Sequence, residues 1–119
     1  MIRARLLLCF SFLSAVSSAY AADIYTCPEL KLANGHSQTA TSIELFSGHP
    51  SEMAMLKPDN ADTDDTNPEY WSLGPSPYAT WYVCRYQHHE KKNEFKLPKT
   101  YDTCTNIGKS QAKDKLECK

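Results

Sequence analysis

Apolar and polar side chains alternate along most of this chain instead of recurring every three or four residues, which marks strands buried on one face. Thr41 to Phe46 shows the pattern well, with Ile43 and Leu45 on one face and Glu44 on the other. Asp23 to Leu32 reads as an opening strand carrying Cys27; Pro28 cannot donate to a ladder and confines it to a sheet edge or strand end. Ala33 to Ala40 is a polar turn region around Asn34-Gly35. Ser47-Gly48-His49-Pro50 breaks the next strand, and Pro50, Glu52 and Lys57 suit the first and last turns of a helix. One or two helical turns are therefore predicted, with Met53 and Leu56 on a shared face and Pro58 as the stop. Asp59 to Pro68 carries almost no apolar side chain and reads as an exposed loop.

The second half continues in the same period. Glu69 to Leu73 forms a strand around Trp71, and Pro75-Ser76-Pro77 is a turn. Tyr78 to Gln87 is aromatic and β-branched on both faces, Trp81 and Val83 opposing Tyr82, Cys84 and Tyr86, so it is expected at the centre of a sheet. His88 to Lys92 is a charged hairpin tip, Asn93 to Leu97 the returning strand, and Thr103 to Ile107 and Leu116 to Cys118 close the fold around a turn at Asn106-Gly108. The fold class that follows is mostly β: a small antiparallel meander of five to seven strands with one short helix.

The first 21 residues do not fit this pattern. Arg3 and Arg5 precede an apolar run from Leu6 to Leu13, and Ala19-Tyr20-Ala21 supplies the small side chains that a signal peptidase admits. The apolar run is shorter than the ~20 residues needed to cross a bilayer as a helix. Cys9 sits inside it, behind Leu7-Leu8, which does not suit a lipid-anchored cysteine. The chain is thus divided into a signal peptide, residues 1–21, and one domain, residues 22–119, delivered to the periplasm or beyond with no membrane span in its mature part.

Removal of that segment changes the cysteine count and the charge. Five cysteines become four, Cys27, Cys84, Cys104 and Cys118, an even set suited to two disulfides in an oxidising compartment. No Cys-x-x-Cys pair is present, which argues against a thiolate zinc site. Three pairings are open, and the expected one joins Cys84 to Cys104 and Cys27 to Cys118. Without Arg3 and Arg5 the balance is 11 basic residues against 14 acidic. It is also uneven: residues 22–84 hold two lysines against nine carboxylates, and residues 85–119 nine basic groups against five acidic. Such a division is either two patches of one solvated surface or a face that steers a charged partner. An acidic exported chain is a poor nucleic-acid binder.

Candidate chemistry is sparse. No serine lies in a Gly-x-Ser-x-Gly elbow, and the four histidines do not converge in sequence with a nucleophile, so no catalytic residue is assigned. His88 and His89 would point to opposite faces of a regular strand and cannot share a metal there. Asp59 to Asp65 offers oxygen ligands but lacks the glycine and terminal glutamate of a calcium-binding EF-hand loop; weak calcium binding there is left open. Trp71, Trp81, Tyr82 and Tyr86 read as core in preference to a sugar platform. Neither a metal site nor a cofactor is expected.

The order of landmarks is distinctive: Cys27-Pro28, the run Phe46-Ser47-Gly48-His49-Pro50-Ser51-Glu52-Met53-Ala54-Met55-Leu56-Lys57-Pro58, Trp81-Tyr82-Val83-Cys84-Arg85-Tyr86, Leu97-Pro98, then Cys104 and Cys118. It resembles a family of short, exported, four-cysteine Gram-negative proteins of unknown function, designated only by an enterobacterial locus tag. The hairpin His88-His89-Glu90-Lys91-Lys92 departs from that family's shorter, less charged turn. The resemblance implies fold and compartment and leaves activity open. Compartment, size and lack of catalytic groups point to a non-enzymatic protein that docks to another envelope or periplasmic protein, such as an inhibitor or immunity protein for a cell-wall hydrolase. Gly48, His49 and Pro50, with His88 and His89, are the candidate partner-binding residues. The alternative is a binder of a small ligand, glycan or metal. Oligomeric state is not indicated.

Overall fold

A computed structural model describes residues 21–63 and 67–119. The expected signal segment, apart from its last residue, and Asp64 and Asp65 of the acidic loop lie outside the described residues. Among the described residues ten strands are formed: β1 (Asp23–Thr26), β2 (Leu30–Lys31), β3 (Ser37–Gln38), β4 (Ser42–Ser47), β5 (Met55–Leu56), β6 (Tyr70–Ser72), β7 (Thr80–Arg85), β8 (Lys92–Lys96), β9 (Thr103–Asn106) and β10 (Lys115–Cys118). Seven of them are three residues or longer. The mostly β, antiparallel class is as expected, but the strands divide between sheets. One sheet runs β1-β10-β9-β6, a second β5-β4-β7-β8, and β2 and β3 form a separate hairpin.

Alternation explains what each sheet buries. Ile43 and Leu45 of β4 and Tyr82 and Cys84 of β7 share one core with Trp71, Cys104, Leu116 and Cys118 of the other sheet. The two sheets therefore pack face to face, and Leu97 and Tyr101 close the same core from the β8–β9 connection. β7 is central, as its double-sided apolar pattern required: Val83, on the face opposite Tyr82, is fully buried too. The indole of Trp71 also donates to the Leu56 carbonyl at 3.0 Å, which fixes β6 against β5 across the sandwich.

Three expectations are corrected. Cys27 bonds Cys84 and Cys104 bonds Cys118, not Cys84 with Cys104 and Cys27 with Cys118. Cys104 and Cys118 are register partners on neighbouring strands with Cα atoms 4.1 Å apart, so β9–β10 pairing decides the match. Cys27, just past the end of β1, bonds Cys84 near the end of β7 and ties one sheet to the other. Second, the opening strand stops at Thr26, because Pro28 ends pairing, and Leu30–Lys31 joins its own hairpin around Gly35. Third, the predicted helix shrinks to one 3₁₀ turn, Pro50–Glu52. Met53 takes a left-handed backbone (φ 62°) and ends it, and the chain then pairs with β4 as β5. Met53 is consequently 84% exposed while Leu56 packs against the core, so the two share no face.

Candidate functional site

The loop between β4 and β5 is built from local rules. Gly48 has φ +81°, a conformation costly for any residue with a Cβ, and donates its amide to the Ala79 carbonyl at 2.8 Å. His49 caps the 3₁₀ turn: its Nδ1 accepts from the Ser51 amide at 3.1 Å. The imidazole sits edge-on to Trp81, ring centroids 4.6 Å apart, and Nε2 stands 3.7 Å from a Glu94 carboxylate oxygen. Pro50 is buried beneath the loop, and Ser47 donates to the Ala54 carbonyl at 2.9 Å to close its base. Gly48, His49 and Pro50 therefore shape a rigid projection, and the side chains it presents are others. Met53 is 84% exposed, Met55 56%, and the neighbouring Tyr78 63%.

His88 and His89 are elsewhere. They occupy the exposed β7–β8 hairpin, where His88 has φ 59° and His89 donates to the Tyr86 carbonyl at 3.3 Å. Six residues of β7 separate this tip from Gly48, a strand length of about 20 Å. The sequence pointed to both segments, and the fold places them at opposite ends of one sheet. Among the described residues no three His, Cys, Asp or Glu side chains gather as a metal site.

Beside the projection a cleft of about 290 Å³ opens between two proline-containing segments, Leu73–Thr80 and Lys96–Tyr101. Its far wall is held by a polar cluster. Lys99 Nζ lies 2.9 Å from Asp23 Oδ2, Tyr101 donates to the same oxygen at 2.6 Å, and Tyr25 and Tyr101 join hydroxyl to hydroxyl. The Lys99 hydrogen bond, and after it that of Tyr101, holds the Asp23 carboxyl below its ordinary range. The hydrogen bond to Asp23, and then its charge, raises Lys99. Burial, then the bond to Asp23, drives the Tyr101 phenol far upward.

Sequence reasoning missed Met53, Tyr78 and Lys96. By its spacing Met53 belongs on the apolar side of a helix, and nothing local announces its left-handed backbone. Tyr78 reads as part of the central strand, whose bonded part begins two residues later.

A family model, that of the Type VI secretion system Tli immunity protein, matches residues 34–119, which span β3 to β10. No curated protein and no solved structure gives a significant match.

Proposed function

The chain belongs to the Type VI secretion system Tli immunity protein family, and from that membership we propose that it protects its own cell by docking to a toxin and blocking it, without catalysis. The observation that carries this reading is the match from residue 34 to the end of the domain. Membership also makes the earlier resemblance specific, replacing a family of open function by one defined by immunity.

The finer points are our own reading. The protein works in the periplasm, where Cys27–Cys84 and Cys104–Cys118 remain oxidised. Its target is an enzyme that attacks the cell envelope, a cell-wall hydrolase being one such enzyme. Contact is made by the β4–β5 projection that Gly48, His49 and Pro50 shape. A rigid loop on a disulfide-locked scaffold loses little conformational entropy on binding, which favours tight inhibition. The His88-His89 hairpin, at the other end of the sheet, plays a secondary part.

The test is co-expression. Secretion-system toxins targeted to the periplasm of a sensitive host arrest growth; the exported chain should relieve one of them and purify with it in a stoichiometric complex. Purified toxin, assayed on wall sacculi for released muropeptides and on phospholipid vesicles for released fatty acid, then identifies the bond it cuts. A toxin panel that stays lethal and leaves the chain uncomplexed overturns the proposal.

A further inference from the structure

Methionine is ordinarily among the most deeply buried residue types, because its flexible thioether fills gaps in a core. This chain does the reverse. Its sequence holds three methionines, Met1, Met53 and Met55, the first of them in the expected signal segment. The other two stand on the β4–β5 projection and are exposed, while the core among the described residues contains none. Every thioether of the expected mature chain is therefore on the loop that the functional reading assigns to contact.

The backbone of that loop is held by groups that do not involve sulfur. The Met53 amide donates to the Pro50 carbonyl at 3.0 Å, and the Ser47 amide to the Ala54 carbonyl at 2.9 Å. Met55 is the register partner of Phe46 on β4, so its side chain shares a face of the sheet with that buried ring. Met53 is the more accessible sulfur, 84% exposed against 56% for Met55. The four cysteines of the domain are buried and already joined as disulfides, so no thiol there competes for an oxidant.

We propose that Met53, followed by Met55, is an oxidation site of this protein, and that the Met53 sulfoxide binds the toxin more weakly. The co-reactant is a two-electron peroxide oxidant such as hydrogen peroxide. A sulfur lone pair attacks one peroxide oxygen and the O–O bond breaks. The departing hydroxide takes the proton of the transferred oxygen and leaves as water. Sulfur loses two electrons, the peroxide gains two, and the side chain keeps one added oxygen. The sulfoxide is polar where the thioether was apolar, so docking must strip water from a new dipole. The effect on docking rests on the reading that this projection contacts the toxin; the chemistry at sulfur does not.

The experiment treats the purified, disulfide-intact chain with hydrogen peroxide and follows it by intact mass and peptide mapping. Met53 should gain oxygen first, at a rate within about threefold of methionine in an unstructured peptide, and Met55 later. The singly oxidised chain should melt within about 2 °C of the untreated one, because a modification on an exposed side chain removes no packing. Binding is read by calorimetry against the toxin recovered by co-expression, purified as a catalytically inactive variant. Oxidation of Met53 should weaken it about tenfold. Met53→Leu keeps an apolar side chain without sulfur, and its binding should be the same before and after that peroxide dose. Prior complex formation should slow Met53 oxidation about tenfold or more.

Oxidation of Met53 after Met55, or more than about tenfold slower than in the peptide, overturns the site. Three results overturn the effect on docking and leave the immunity reading standing: a singly oxidised chain that binds like the untreated one, a Met53→Leu chain that peroxide weakens as much as the unaltered chain, or an undiminished oxidation rate in the complex. If the untreated chain binds no toxin, the immunity reading falls and takes the docking effect with it, while the site is still decided by mass.

Discussion

Two glycines, read as turn markers in the sequence, are required for different reasons. A Cβ at Gly48 would meet only the tip of the Glu52 side chain at 3.0 Å, so the main cost of Gly48→Ala is its φ of +81°. A Cβ at Gly108 would lie 2.3 Å from the Ala112 carbonyl oxygen and 2.7 Å from Lys113 Cα, both backbone atoms that cannot swing away. Gly48→Ala should cost about 1 kcal/mol and Gly108→Ala about 2–3 kcal/mol; urea titration reads both, and the reverse order would contradict the contacts. Asp23 sets a pH dependence. Its carboxyl is held low, so its pairing contributes above the unfolded carboxylate pKa of about 3.9 and is lost as pH falls through the lower folded value. Lys99 and Tyr101 are raised, so their contribution is complete below about pH 10 and is lost as pH climbs through their folded values. Asp23→Asn should therefore lower the melting temperature between about pH 4 and 10 and converge on the unaltered chain in stronger acid. A constant offset down to pH 2 would mean that the charge is irrelevant. Nothing in sequence pointed to this cluster, because Asp23 and Tyr101 come together only through the folding of the β8–β9 connection beside β1.

At the scale of elements, the strands were legible and their partners were not. Alternation located β4, β6, β7 and β8 to within a residue or two, since it registers locally which side chains face a core. Pairing is a property of distant segments. β1 joins β10, and β6 joins β9, across connections that no periodicity reports. The disulfide error has this origin: Cys104 belongs with Cys118 because their strands are neighbours. The bridges should differ in weight. The Cys27–Cys84 link spans 57 residues and Cys104–Cys118 spans 14. Chain entropy alone assigns them about 4 and about 3 kcal/mol. The former also joins the two sheets, so replacing Cys27 and Cys84 together by serine should cost more in guanidinium titrations than replacing Cys104 and Cys118. Equal losses would indicate that the inter-sheet staple adds nothing beyond packing. The helix expected after Pro50 failed for a related reason, because the open edge of β4 offered Met55 and Leu56 backbone partners that three residues of helix could not match.

For the whole molecule, the proposed export signal makes a prediction of its own. Periplasmic protein should begin at Ala22, and its intact mass should match two disulfides with no free thiol. A start upstream of Cys9, or a thiol that alkylates without reduction, would contradict the processing scheme. The sequence by itself determined the strand-rich class, the main turns and the even set of four cysteines in the expected mature chain, because period, glycine, proline and cysteine count are local or additive properties. It also marked the segment around Gly48, His49 and Pro50. Only the tertiary structure decided that the strands split into two packed sheets, which cysteines bond, and that the histidine hairpin lies at the far end from that segment. It alone set Tyr78 and Lys96 on one cleft, beside the loop that carries Met53. Those features depend on hydrogen bonds and packing between residues far apart in the chain, where one choice of strand neighbours fixes every surface that follows.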